Sequence, residues 1–216
     1  MTQALFPAAL LFAAVYLFMP QGRATIARAI VKTVPVTLFA MIAAAVGTPW
    51  LLVAALILCA LGDLLLAFAR PATDDHDSAD PAFLAGLVAF LTGHIAYIAL
   101  FLTLSGPSVS GLSLIIALAI VATALIMARL LWRQAGALRW PVMAYVAAIA
   151  TMGLASLATG SWLLVAGAAL FVMSDAILGT EKFIVAPHDR RKRAVTGPAI
   201  WVLYIAAQAV IMSAFI

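Results

Sequence analysis

Charge is scarce in this chain. Of its 216 residues only 9% are Asp, Glu, Lys or Arg and 67% are hydrophobic, with a mean hydropathy of +1.19. Soluble domains are about a quarter charged and about half apolar. No water-soluble core hides this much apolar surface, so an ordinary globule is excluded and lipid is the expected solvent. Cysteine is almost absent too. Cys59 lies alone in an apolar run, which rules out an intramolecular disulfide and reads as a buried structural thiol. No G-x-S-x-G or H-E-x-x-H occurs, which argues against serine and zinc hydrolases. Residues 1–20, "MTQALFPAALLFAAVYLFMP", lack the basic start of a cleavable signal and are expected to form a retained first span.

What is present is a series of apolar stretches, each long enough or nearly long enough to cross a bilayer. They run 4–19, 30–46, 49–69, 82–104, 111–132, 138–158, 160–180 and 196–216, broken by Pro, Gly or charge. Leu- and Ala-rich continuity without a period of two favours helices over a strand barrel. The expected fold is therefore all-α: a polytopic membrane protein, a bundle of eight transmembrane helices forming one domain over residues 1–216. Small residues such as Ala54, Ala55, Gly86, Gly93, Gly153 and Gly167 suit close helix packing.

The loops after even-numbered spans, "GTP", "SGPSVSG" and "ATG", are short and uncharged. All 12 Lys and Arg (Arg23, Arg28, Lys32, Arg70, Arg129, Arg133, Arg139, Lys182, Arg190, Arg191, Lys192 and Arg193) fall on or beside the odd-numbered loops. The positive-inside rule assigns those loops to the cytoplasm, so both termini face the non-cytoplasmic side. The basic run "HDRRKR" (188–193) is expected to meet anionic headgroups rather than nucleic acid. The acidic loop "DDHDSAD" (74–80) matches no zinc or calcium spacing and reads as solvated.

Against this background two carboxylic acids stand out: Asp63 in "LCALGDLLL" and Asp175 in "LFVMSDAIL". Asp63 lies six residues before the end of span 3 and Asp175 five before the end of span 7. At 1.5 Å per residue both carboxyls are expected about 8–10 Å below the cytoplasmic edge. Acids at such depth face a protein interior or a wet cavity and mark function by default. Lys32 maps near the cytoplasmic start of span 2, His94 and Tyr97 about mid-depth in span 4, Tyr145 two turns into span 6, and Tyr204 and Gln208 inside span 8. With Ser174 just before Asp175 and Lys182 at the end of that helix, they predict a polar pocket toward the cytoplasmic leaflet. Each also has a plain alternative as an interfacial anchor, a snorkelling lysine or a satisfied helix group. Residues 52–68 and 164–180 share six identities in 17, a hint of parallel duplication.

Paired carboxyls in unlike surroundings can divide labour between acid and base, as in acetal hydrolysis. The combination of "LGDLLLAF" (61–68), "FLAGLVAFLTGHIAYIALF" (83–101), "GAALFVMSDAILGTEKF" (167–183) and "YIAAQAVI" (204–211) resembles the YhhN-like lysoplasmalogenases over nearly the whole chain. The resemblance implies hydrolysis of the vinyl ether bond of lysoplasmenyl phospholipids to a fatty aldehyde and a glycerophospho-base, without a metal or organic cofactor. It places the catalytic pair on Asp63 and Asp175. It matches the family's other polar positions to Lys32, His94, Tyr97, Ser174, Lys182, Tyr204 and Gln208. Two positions depart from it: Lys32 is followed by "TVP" rather than directly by Pro, and Tyr204 stands without a neighbouring tyrosine. The implied partners are the lysophospholipid substrate and membrane lipids, with no nucleic acid and no oligomeric state indicated. The implied location is the inner membrane. The main alternative is a proton- or cation-coupled transporter. An intramembrane aspartyl protease fits less well, since residues 60–63 read Ala-Leu-Gly-Asp and Asp175 follows Ser.

Overall fold

A computed structural model describes residues 2–19, 25–69, 80–104, 111–186 and 188–216. Among these residues it contains eight α-helices: α1 Thr2–Phe18, α2 Ile26–Ala45, α3 Trp50–Ala67, α4 Pro81–Leu102, α5 Gly111–Gln134, α6 Arg139–Leu157, α7 Trp162–Phe183 and α8 Arg190–Ser213. A single 3₁₀ turn, Gly136–Leu138, precedes α6, and no strand occurs among the described residues. Every predicted span is a helix. Seven are long and apolar enough to cross a membrane; α1 is apolar but shorter. The chain is thus a polytopic membrane bundle.

The helix ends follow local chemistry. Side-chain oxygens of Thr25, Asp80, Ser161 and Asp189 accept amides in the first turns of α2, α4, α7 and α8, satisfying donors that a helix start leaves open. Pro81 begins α4, where a missing N–H costs nothing. Gly47 and Gly160 turn two of the short uncharged loops with φ of 76° and 69°, a conformation that side chains disfavour.

Two of the shifted boundaries bear on the site. The run "RRKR" is the first turn of α8 rather than loop, because Asp189 caps the helix ahead of it. Helix α7 continues through Glu181, Lys182 and Phe183. Asp175 therefore lies eight residues from its helix end and Asp63 only four from its own, so the matched offsets read from the sequence do not hold. Of the acidic loop, residues 74–79 lie outside the described residues, as do Arg23 and Arg70, and Asp80 serves as the α4 cap.

Six helices form a ring. Helix α2 packs on α3, α3 on α4, α4 on α6, α6 on α7, α7 on α8, and α8 back on α2. Helices α1 and α5 stand outside it, α1 against α2 and α8, α5 against α6 and α7. Within the ring the packing repeats every four helices. The close pairs α3/α4 and α7/α8 correspond, and the closure α4/α6 corresponds to α8/α2. This arrangement agrees with the duplication hinted at by residues 52–68 and 164–180.

Close approach in these pairs depends on glycine. A Cβ on Gly62 would stand 2.5 Å from the Phe90 ring, and one on Gly167 would stand 2.5 Å from Ile211 Cγ1 and 3.2 Å from the Ala207 carbonyl oxygen. Lipid offers apolar helices no hydrophobic drive to associate, so packing of this kind holds the ring together. Large side chains such as Leu118, Leu125 and Trp140 face outward, as lipid permits.

Candidate functional site

The ring surrounds a polar cavity of about 1250 Å³, its open mouth included. Asp63 comes from α3 and Asp175 from α7, and both line it. So do Lys32 from α2, Tyr145 from α6, Ser174 and Lys182 from α7, and Tyr204 from α8. The walls near the mouth carry Leu66, Ala69, Glu181 and Arg193, all beside the bundle end that bears the basic loops. The expected pocket exists, and the two acids share it.

Their surroundings are opposite. Asp63 is 2% exposed; its Oδ1 is 3.4 Å from the Lys32 ammonium, and its Oδ2 accepts the Tyr204 hydroxyl at 2.7 Å. A buried carboxylate needs this kind of compensation, a cation plus a hydrogen bond. Asp175 pairs with no Lys or Arg among the described ion pairs. Its Oδ2 accepts the Tyr145 hydroxyl at 2.6 Å and lies 3.7 Å from His94 Nε2.

His94 is fully buried, and its Nδ1 contacts the Phe90 carbonyl at 2.6 Å. A carbonyl only accepts, so Nδ1 carries the hydrogen and Nε2 of the neutral ring presents a lone pair. That atom has no hydrogen-bond partner among the described residues. Two acceptors facing each other at 3.7 Å repel unless a proton sits between them or on one of them. The Lys32 ammonium favours a charged carboxylate at Asp63, whereas Asp175 has the unpartnered His94 Nε2 beside it and no ion pair with Lys or Arg among the described residues.

Each acid is therefore contacted from the preceding helix and from the last helix of the other half. Asp63 meets Lys32 of α2 and Tyr204 of α8; Asp175 meets Tyr145 of α6 and His94 of α4. The contacts cross between the repeats in the same way as the packing.

The remaining predicted residues lie deeper. Tyr97 donates to Gln208 Oε1 at 2.5 Å across α4 and α8, and neither lines the cavity, nor does His94. Ser174 lines it but donates to the Ile200 carbonyl at 3.0 Å, tying α7 to α8. Lys182 holds its ammonium 4.5 Å from the Phe83 ring centre at the mouth. Several lining residues were not singled out for the pocket from the sequence, among them Tyr16, Arg28, Arg193 and Trp201. Arg28 donates to the Tyr16 hydroxyl at 2.9 Å, and Trp201 Nε1 donates to the Ala13 carbonyl at 2.9 Å, which fastens α1 over the cavity. Arg193 bonds the carbonyls of Glu181 and Val185 and pairs with the Glu181 carboxylate, which also accepts Thr196. A signal for two of them existed: Arg193, Gly197, Trp201, Tyr204 and Gln208 form one stripe on α8 at helical spacing.

No group of three or more His, Cys, Asp or Glu side chains among the described residues is arranged to hold a metal ion. Compared with known proteins, residues 27–215 match the family model described as the YhhN family. No curated protein matches, and no solved structure does.

Proposed function

The chain belongs to the YhhN family, and from that premise we propose that it is a lysoplasmalogenase-like ether hydrolase, cleaving the vinyl ether of lysoplasmenyl phospholipids within the membrane. One observation carries the reading: two carboxyls from different helices line one cavity, one paired with a cation and the other 3.7 Å from a buried imidazole nitrogen that has no hydrogen-bond partner among the described residues. This is the division of labour that acid-initiated ether cleavage needs.

Protonated Asp175 delivers its proton to the alkene carbon remote from the ether oxygen. The double bond's electron pair forms the new C–H bond and leaves an oxocarbenium ion. Asp63, charged beside Lys32, stabilises that cation and takes a proton from the water that attacks it. The resulting hemiacetal collapses with cleavage of its C–O bond to the glycerol. The departing oxygen takes the proton from Asp63, and the hemiacetal hydroxyl returns one to Asp175. The net change is addition of one water, giving a fatty aldehyde and a glycerophospho-base, with both acids restored. Tyr145, Ser174 and Tyr204 serve as positioning groups around the reacting atoms, His94 as the residue that orients Asp175, and Tyr97 with Gln208 as its support. Lys32 and Lys182 attract the phosphate. The cavity mouth lies at the end of the bundle bearing the basic loops, which favours access from the cytoplasmic leaflet of the inner membrane.

The test is release of fatty aldehyde from a defined lysoplasmenyl lipid, read by mass spectrometry for wild type, Asp63→Asn and Asp175→Asn. Aldehyde from wild type alone supports the reading. Folded Asn variants that keep the normal rate would overturn it, and flux into proteoliposomes without lipid turnover would favour a transporter.

A further inference from the structure

A second hollow lies on the other side of Asp175. Helices α4, α5, α6 and α7 enclose about 640 Å³ of empty space, the open side included. Apart from Thr123, Tyr145, Asp175 and Lys182, every side chain lining it is apolar or glycine. It shares Phe83, Tyr145, Asp175, Leu178 and Lys182 with the polar cavity, so the two hollows meet at the acid.

We propose that this groove is the binding site for a single unbranched aliphatic chain of a phosphate-headed lipid, entering sideways from the bilayer with its headgroup end at Lys182. The inference rests on the hydrolase reading above and specifies how its substrate lies. Direction follows from the helices. Lys182 and Phe183 end α7 beside the basic loops, whereas Ile120, Ile149 and Val172 lie toward the middle of α5, α6 and α7. The groove therefore runs along the bilayer normal with its one ammonium at the headgroup end, which is the orientation of a lipid in the leaflet. From Lys182 to Asp175 is seven residues, about 10 Å along a helix axis. A headgroup held at Lys182 thus sets the junction of glycerol and chain near the carboxyl. The chain continues past Val172 into the apolar end, where unbranched methylenes leave no polar group without a partner. Helix α5 supplies Ile120, Thr123, Ala124, Met127 and Leu131 to this wall and nothing to the polar cavity.

The test uses purified full-length protein in nanodiscs and a lysophosphatidylcholine bearing a diazirine near its chain end, which lacks a vinyl ether and is not turned over by the proposed chemistry. After irradiation, peptide mapping is expected to place the label around Ile120–Met127 and Ile149. Ala124→Trp and Ala150→Phe, which fill the groove, are expected to lose most of that label. Leu125→Trp, on the outward face of α5, is expected to keep it. Lys182→Met is expected to reduce labelling by the phosphate lipid but not by a monoacylglycerol with the same chain. Label spread over the outward faces, or retained in both filling variants, would overturn the groove. Equal loss for both lipids in Lys182→Met would overturn the headgroup assignment. Localised label without aldehyde release from lysoplasmenyl lipid would leave the groove standing and remove the hydrolase.

Discussion

The ammonium of Lys32 stands 3.4 Å from Oδ1 of Asp63, with the carboxyl sealed inside the helix ring. Removing one member of such a pair leaves a buried charge and costs about 3–5 kcal/mol. Lys32→Met is therefore expected to lower thermal stability strongly in detergent. The double variant with Asp63→Asn should recover much of the stability and none of the aldehyde release. Failure of the double variant to recover would mean that the two groups do not act as a pair.

The two tyrosines distinguish the roles of the acids. A hydrogen bond to a charged group contributes about 1.5–3 kcal/mol and one to a neutral group about 0.5–1.5 kcal/mol. Tyr204→Phe, which strips a donor from Asp63, is thus expected to cost more stability than Tyr145→Phe, which strips one from Asp175. The reverse order would exchange acid and base. Unfolding midpoints of the two variants in one detergent decide it.

Loss of a positioned general acid typically lowers a rate by about 10²–10⁴-fold. Asp175→Asn should fall in that range while still binding lysophosphatidylcholine. His94→Phe keeps the ring packing against Tyr145 and Phe171 but deletes the lone pair facing Asp175. It is expected to lower kcat with little change in KM and to alter the pH profile, which a purely structural histidine would not do.

Gly167 and Gly62 should respond differently to alanine. The new Cβ at 167 meets Ile211 Cγ1 at 2.5 Å and backbone atoms of α8 at 3.2 Å, so the helices must part. Overpacking of this kind costs about 1–3 kcal/mol, read as a lower midpoint. At 62 the three nearest atoms all belong to the ring of Phe90, a side chain that lines the polar cavity and must shift. Activity should suffer there more than stability.

At the start of α8, outside the membrane, Asp189 accepts the Lys192 amide at 3.0 Å and pairs with its ammonium at 3.1 Å. The amide bond first, and then the ammonium, hold its carboxyl below the usual carboxylate range. A depressed carboxyl contributes stability above its unfolded value, ordinarily about 3.9, and loses it as pH falls through the folded value. Hydrogen exchange in the first turn of α8 should therefore be slow at neutral pH and lose protection only below that range. In Asp189→Ala the protection should already be weak at neutral pH.

Hydropathy made the helices legible and the placement of charge made their alternation legible, because both are written along the chain. The rank of Asp63 and Asp175 as unusual was legible for the same reason: an acid in an apolar run is costly wherever it points. Azimuth was not. Nothing in the run around Tyr204 says that it reaches Asp63 rather than Asp175, since that choice depends on α8 crossing to the opposite half. The exclusion of α5 from the ring was equally hidden, because a lipid-facing helix and a ring helix share one composition. The start of α8 was misplaced for a simpler reason. A basic run reads as loop until its Asp cap is weighed.

The fourfold rhythm of helix contacts has a corollary. Under the exchange of halves, the outer helix α1 roofs the wet hollow as α5 roofs the oily one. Arg28 and Lys32 line only the wet hollow, while the oily one is lined almost wholly by hydrocarbon. On the proposed hydrolase reading, replacements on α5 retune the preference for tail length and leave the two acids untouched, since α5 lines only the oily hollow.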